Sequence, residues 1–199
     1  MSTASSPSVS EPVYLDHNAT TAPCAEAIED MLDILRTVWA NPSSTHGPGQ
    51  LARSALADAR KRIAEFLGCQ GAELVFTSGA TESNHMALLG ALALRKGSGR
   101  QRIVMSAVEH AGSLALAARL QSQGHQVDLI PVDTQGRIDL EAAQALIGDD
   151  VALVSVMGAN NETGVLMPIA ELAALAHAAG SLMQDRKSTR LNSSHSLPS

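Results

Sequence analysis

Aromatic side chains are almost missing from this chain of 199 residues: one Trp, one Tyr and two Phe, 2% in all. Its core must therefore be built from Leu, Ala, Val and Ile. Cysteine is scarce too. Cys24 and Cys69 lack metal-ligand spacing, which argues against both a zinc site and a disulfide scaffold and leaves two structural thiols as the expectation. No apolar run approaches the ~18 residues that a membrane span requires. Positive charge is not in excess either. The formal net charge of −6 gives no electrostatic case for nucleic acid or an anionic membrane surface. The opening MSTASSPSVSEP has neither a basic start nor an apolar stretch, so it does not read as a secretory signal. Residues 1–12 are expected to be a disordered leader, and a cytoplasmic location is the default.

What is present is an ordinary apolar fraction of 45% and a length that can bury one sizeable core. One domain is therefore expected over residues 13–184. The stretch ELVFTSGATESN (73–84) organises it. Leu74, Val75 and Phe76 read as a short buried strand. Ser78-Gly79-Ala80-Thr81 turns the chain through small residues, and Met86, Leu88, Leu89, Leu92 and Leu94 then suit one broad helix face. Such a turn aims the unpaired N–H groups of a helix start, and the positive end of its dipole, at an anion. Ser78 and Thr81 add hydroxyl donors, and Gly79 admits a close approach. The turn would serve equally as a plain connection with a Ser or Thr cap.

Helical spacing predicts helices over 25–38 and 50–67. Beyond the turn the chain alternates: strand 103–106, helix 112–123, strand 127–132, helix 140–147, strand 151–157, helix 169–179 and a strand beginning at 181. This pattern implies an α/β fold with a mostly parallel sheet and helices on both faces. In such folds ligands bind outside the carboxyl ends of the strands. The small-residue turn, His110 and Asn161 each lie just past such an end, so three separated segments are expected to share one cleft.

The segments YLDHNATT (14–21), SSTHGPGQLAR (43–53), TSGATESN (77–84) and ANNETG (159–164) occur in that order, with VEH (108–110) before the last. Together they resemble the cysteine desulfurase family, within the class V aminotransferase group of pyridoxal-phosphate enzymes. The resemblance covers roughly residues 13–184 and implies the large-domain fold of pyridoxal-phosphate-dependent transferases. It implies pyridoxal 5′-phosphate as cofactor and no metal. Ala80 and Thr81 match residues that hold the cofactor phosphate. His110 matches a catalytic histidine that stacks on the pyridine ring and serves in proton transfer, tasks that suit a flat imidazole. Asn161 matches the asparagine that donates to the phenolic oxygen. The implied reaction takes L-cysteine to L-alanine and moves sulfur to an enzyme persulfide. A sulfur-acceptor protein for iron–sulfur cluster or thio-cofactor synthesis, and a homodimeric intact parent, are implied as partners. Another class V enzyme, a selenocysteine lyase or an aminotransferase, is the alternative. A non-catalytic cofactor-binding or scaffold fragment is a third reading.

Departures bear on activity. The family aspartate that pairs with the pyridine nitrogen follows a strand matching Leu182-Met183-Gln184, but Asp185 lies one position early and Arg186 follows it. Residues 185–199, DRKSTRLNSSHSLPS, are expected to form an unstructured, non-native tail on a truncated frame. The family lysine that carries the cofactor lies in a Ser-x-His-Lys motif, and Ser193-Ser194-His195-Ser196 has serine in its place. None of Lys61, Lys96 and Lys187 matches that motif, so the chain as written is expected to be catalytically inactive.

Overall fold

The structure is a computed structural model, and it describes residues 13–17 and 19–186. The leader, Asn18 and the segment 187–199, including Lys187, lie outside the described residues. The chain divides into two compact units, Met1–Leu74 and Val75–Ser199.

The first unit is helical. α1 spans Ala25–Thr37 and α2 spans Gly47–Leu67, followed by a 3₁₀ turn at Gly71–Glu73. α2 begins three residues before its apolar spacing does, because His46 caps it: the imidazole Nδ1 accepts the Gly49 N–H at 3.2 Å, and Pro48 fits the first turn. Gly49 cannot bear a side chain, since a Cβ would stand 2.5 Å from the Ser44 carbonyl oxygen. Gly68 ends the helix in the left-handed conformation, φ 70°. The Arg60 guanidinium bonds the carbonyls of Gly71 and Leu74, holding the turn against α2. Burial here is slight: Gly49, Ala52 and Ala64 of α2 are buried, and no residue of α1 is.

Among the described residues the second unit contains four strands, β1 (Arg102–Ser106), β2 (Val127–Ile130), β3 (Val151–Met157) and β4 (Leu182–Arg186). They form one sheet in the order β2-β1-β3-β4, with every neighbouring pair parallel. Parallel neighbours need crossovers, supplied by α4 (Ala111–Ser122), α5 (Leu140–Leu146) and α6 (Ile169–Ala178); α3 (Ala80–Leu94) precedes β1. The pleat sorts the core into two layers. Ile103, Met105, Leu153 and Val127 pack with Leu88 and Leu92 of α3 and Leu116 and Leu120 of α4. Val104, Val154 and Val156 pack with Ala143 of α5 and Leu172 and Ala176 of α6. Each fully buried Leu, Ile or Val contributes about 1.5–3 kcal/mol of transfer free energy. The expected α/β fold with helices on both faces is therefore present, and its sheet is wholly parallel.

Two expectations fail. Leu74, Val75 and Phe76 form no strand, and Val75 and Phe76 are exposed. An apolar run becomes a strand only where a ladder partner exists, and no strand among the described residues pairs with it. The apolar face of α3 is also narrower than its spacing suggested. Leu88, Ala91 and Leu92 are buried, whereas Met86, Leu89 and Leu94 are not. β4, for its part, extends through Asp185 and Arg186, two residues into the segment expected to be tail.

Candidate functional site

Strand order places the site. The connection leaving β1 runs to β2 on one side, and the one leaving β3 runs to β4 on the other. The chain paths diverge there, so a crevice opens outside the carboxyl ends of β1 and β3. His110 follows β1 by four residues and Asn161 follows β3 by four.

At the small-residue turn, α3 starts at Ala80 with Gly79 as its cap residue, and no side chain caps it. The N–H groups of the first turn thus remain directed outward, with the positive end of the helix dipole behind them. Thr81 is exposed in that turn. Ser78, expected to add a donor, does not point its groups at a ligand. Its N–H and its hydroxyl both donate to Glu82 Oε2, each at 2.7 Å. The hydroxyl of Ser78, then its amide, hold the Glu82 carboxyl below the ordinary carboxylate range. Thr77 and Ser83 hydroxyls lie 2.6 Å apart and fix the rest of the turn. Behind it, buried Asn84 accepts from the Gln184 amide of β4 at 3.1 Å, and Gln184 in turn accepts from Ser155 of β3 at 3.2 Å. A polar relay therefore seats the start of α3 on the sheet.

His110 caps α4. Its Nδ1 accepts the Gly112 N–H at 3.1 Å, so the neutral ring carries its proton on Nε2. Thr81 and His110 line one cleft together with Asn84, His85, Gly112 and Ser113. Gly112 has room between them because it has no side chain. A Cβ there would lie 3.4 Å from His110 Nδ1 and 3.8 Å from Thr81 Cγ2. The cleft itself is too tight to admit a water molecule; a separate groove of about 560 Å³, sharing Thr81, His85 and Gly112 with it, runs between α3 and α4 past Leu89 and Arg119.

Asn161 lies in the ANNETG turn, closed by an antiparallel bridge between Ala159 and Leu166 and by Gly164 at φ 73°. Its neighbour Asn160 shapes that turn, accepting the N–H groups of Glu162 and Thr163, both at 2.9 Å. The Asn160 side-chain amide also donates to the Val108 carbonyl at 3.2 Å. One residue on, buried Glu109 accepts the Met157 N–H at 2.6 Å. The structure thus brings Thr81 and His110 into one cleft; Asn161 is not among the residues lining it, although its neighbour Asn160 ties that loop to Val108 in the His110 loop. Glu109 and Asn160 escaped the sequence reading. A carboxylate flanked by Val108 and the end of an apolar strand was the available signal.

The remaining residues of note lie elsewhere. Asp185 sits in β4 opposite Val156 and is exposed. In the first unit, the Tyr14 hydroxyl donates to the Asp16 and Thr20 carbonyls at 2.9 Å and 3.0 Å. Cys24 is exposed at the start of α1 rather than packed, and Cys69 is half-buried; both are free thiols. Among the described residues no group of His, Cys, Asp or Glu could hold a metal ion. No described helix is long and apolar enough to cross a membrane.

Known proteins resemble the chain in sequence and in fold. The chain is 48% identical over 174 residues to a cysteine desulfurase of Cereibacter sphaeroides, covering 86% of this chain and 44% of that protein. It is 45% identical over 169 residues to the cysteine desulfurase NifS of Azotobacter vinelandii, covering 84% and 42%. A solved NifS-like protein superposes with a TM-score of 0.84 at 32% identity, covering 89% of this chain and 49% of that one. A structure described as SspA in complex with cysteine gives 0.78 at 30% identity, with 85% and 49% covered. The chain spans less than half the length of these relatives. Residues 13–185 match the family model for aminotransferase class-V, and the chain belongs to that family.

Proposed function

We propose that this chain forms the cofactor-binding part of a pyridoxal-phosphate-dependent cysteine desulfurase. The observation that carries the reading is the meeting of the uncapped α3 start, Thr81 and His110 in one cleft at the switch point of the sheet. The donor set fits the cofactor. The N–H groups of Ala80 and Thr81 and the Thr81 hydroxyl bind a phosphate at the positive end of α3. The flat face of His110 covers an aromatic ring, and its Nε2–H is the atom that holds and moves a proton. Asn161 offers a neutral amide to a phenolic oxygen and so orients it without adding charge. Pyridoxal 5′-phosphate, when bound, supplies the electron sink for chemistry at the amino acid's Cα.

The substrate in this reading is L-cysteine, with L-alanine released and sulfur passed through an enzyme persulfide to an acceptor protein. The intact parent acts in the cytoplasm as a homodimer. The 199-residue chain by itself binds cofactor without turning over. Lys61 lies exposed on α2 beside Glu65, at 3.9 Å. Lys96 follows the far end of α3, about 20 Å from the phosphate turn at 1.5 Å per helical residue. The test is titration of purified chain with pyridoxal 5′-phosphate, followed by L-cysteine. Saturable binding that Thr81→Val weakens about tenfold, the loss of one hydrogen bond to a charged group, is expected. Ser78→Ala should leave the affinity within about twofold, because its donors serve Glu82. No saturable binding, or sulfide turnover above the free-cofactor rate, would overturn the respective halves of this reading.

A further inference from the structure

The carboxyl ends of β1 and β3 part company at the site, and backbone pairing does not follow them. The β1–β3 ladder reaches Met105 opposite Ser155 and ends there. Two residues later the Met157 N–H faces the widening gap, where a buried donor without a partner would cost about 1–3 kcal/mol. A side chain replaces the missing strand. Glu109, 5% exposed, reaches across and accepts that N–H at 2.6 Å. A second stitch runs from the Asn160 amide to the Val108 carbonyl at 3.2 Å. Both bonds have their donor on the β3 side and their acceptor on the β1 side, but the reaching side chain comes from β1 in one and from beyond β3 in the other. They join residues 108 and 109 to residues 157 and 160, next to His110, which lines the cleft, on one side and to Asn161 on the other. His110 is covalently adjacent to Glu109, and Asn161 to Asn160.

We propose that Glu109 and Asn160 are positioning residues that fix the spacing of His110 from Asn161 across the switch-point crevice. This rests on the cofactor reading above. Neither residue needs to touch the ligand. A ring clamped by His110 on one side and oriented by Asn161 on the other tolerates little change in their separation, because misplacement of about 1 Å in such a site can cost a factor of 10². A carboxylate suits the task better than a longer ladder. It can bond the β3 terminus while leaving the two backbones apart, and the opening between them is where a ligand enters.

The test compares Glu109→Ala, Glu109→Gln and Asn160→Asp in the full chain, with pyridoxal 5′-phosphate as the probe. Gln keeps an acceptor for the Met157 N–H. Asp at position 160 keeps the acceptor that shapes the turn but removes the donor to Val108. Two quantities are read well below each variant's melting temperature: the dissociation constant, and the circular dichroism induced in the cofactor absorption band. Glu109→Ala and Asn160→Asp should each weaken binding at least fivefold and reduce the induced signal of the bound cofactor. Glu109→Gln should restore both to within about twofold of the parent chain. A folded Glu109→Ala chain that melts earlier yet keeps the parent affinity and signal would reduce Glu109 to a structural role and overturn the proposal. If Glu109→Ala does not fold, Asn160→Asp decides by the same criteria. Failure of the unsubstituted chain to bind cofactor would instead remove the reading on which the proposal rests.

Discussion

The two ends of β1 perform the same mechanical task with opposite chemistry. At the amino end, Arg102 ties the strand to both neighbours. Its guanidinium meets Asp150 at 2.6 Å and Asp128 at 2.8 Å, and Asp150 is half-exposed. Asp150, then Asp128, raise the arginine pKa further above its already high value, while Arg102 holds the Asp150 carboxyl down. At the carboxyl end, Glu109 ties the loop after β1 to the end of β3 with a single carboxylate, buried and bonded to an N–H. At the amino end the arginine is largely covered but both of its acidic partners reach solvent, so water can take over part of their bonding if the arginine is removed. The carboxyl end has no such substitute, since removing the carboxylate strands a buried amide. The contrast teaches that a buried carboxylate can fasten two strand ends where their ladder has stopped, while shared charge fastens them where the ladder begins.

That contrast makes graded predictions. Glu109→Ala should destabilise the second unit most, by about 2 kcal/mol, as an unpaired buried donor costs 1–3. Urea denaturation measures this, and a loss no greater than that of Arg102→Ala would make the two ends equivalent. Arg102→Ala should cost about 1 kcal/mol, reduced because both acidic partners are part-exposed. Its penalty should shrink in 1 M salt, where screening acts within about 3 Å, whereas the Glu109→Ala penalty should not.

Acid provides the third comparison. Asp150 has a folded-state pKa below its ordinary 3.8, chiefly through the Arg102 hydrogen bond. A depressed carboxyl stabilises the fold above the ordinary value, and that contribution is lost as pH falls through the lowered one. Stability should therefore drop below about pH 4 in the parent chain and drop less in Arg102→Ala. Parallel melting curves across that window would contradict the assignment. Glu82 follows the same sign through Ser78, and its loss should loosen the α3 start rather than the sheet.

The smallest effect belongs to Gly112. Alanine there should favour α4 by up to about 0.5 kcal/mol, since glycine is a weak helix former. The added methyl would lie in ordinary contact with His110 Nδ1, at 3.4 Å, so cofactor affinity should stay within about twofold. Thermal melting and cofactor titration on the same sample check both values. An affinity loss beyond about fivefold would show that the methyl displaces the imidazole.

How far the sequence disclosed this depends on the range of the interactions involved. VALVSVM gave β3 to the residue, because a continuous β-branched run leaves little choice in a buried parallel strand. Apolar alternation with helices likewise gave the four strands and three crossover helices described after residue 100. Leu74-Val75-Phe76 carries a similar run and forms no strand, since pairing is a property of a partner and not of the segment. His110 just past the end of β1 and Thr81 at a helix start were legible, although the strand expected before Thr81 does not form, and the cleft unites them. Ser78 misled because its chemistry was right and its partner, Glu82, stood only four residues away. Glu109 was invisible as a fastening, because Met157 lies 48 residues further on.

The strand order also governs how the chain comes together during synthesis. β1 and β2 pair through positions such as Ile103 and Val127, a separation of 24 residues. The central partner of Ile103 is Leu153, 50 residues away. Doubling the span adds only about 0.6 kcal/mol of closure entropy, so distance alone is a weak obstacle. Order of emergence is a stronger one: until Met157 has left the ribosome, the middle of the sheet is a vacant edge beside β1. Both fasteners of that strand, Arg102 with Asp150 and Glu109 with Met157, close in the same late event. A nascent chain paused between residues 130 and 150 would thus expose a bare parallel strand, the sort of edge that trigger-type chaperones or a second chain can capture.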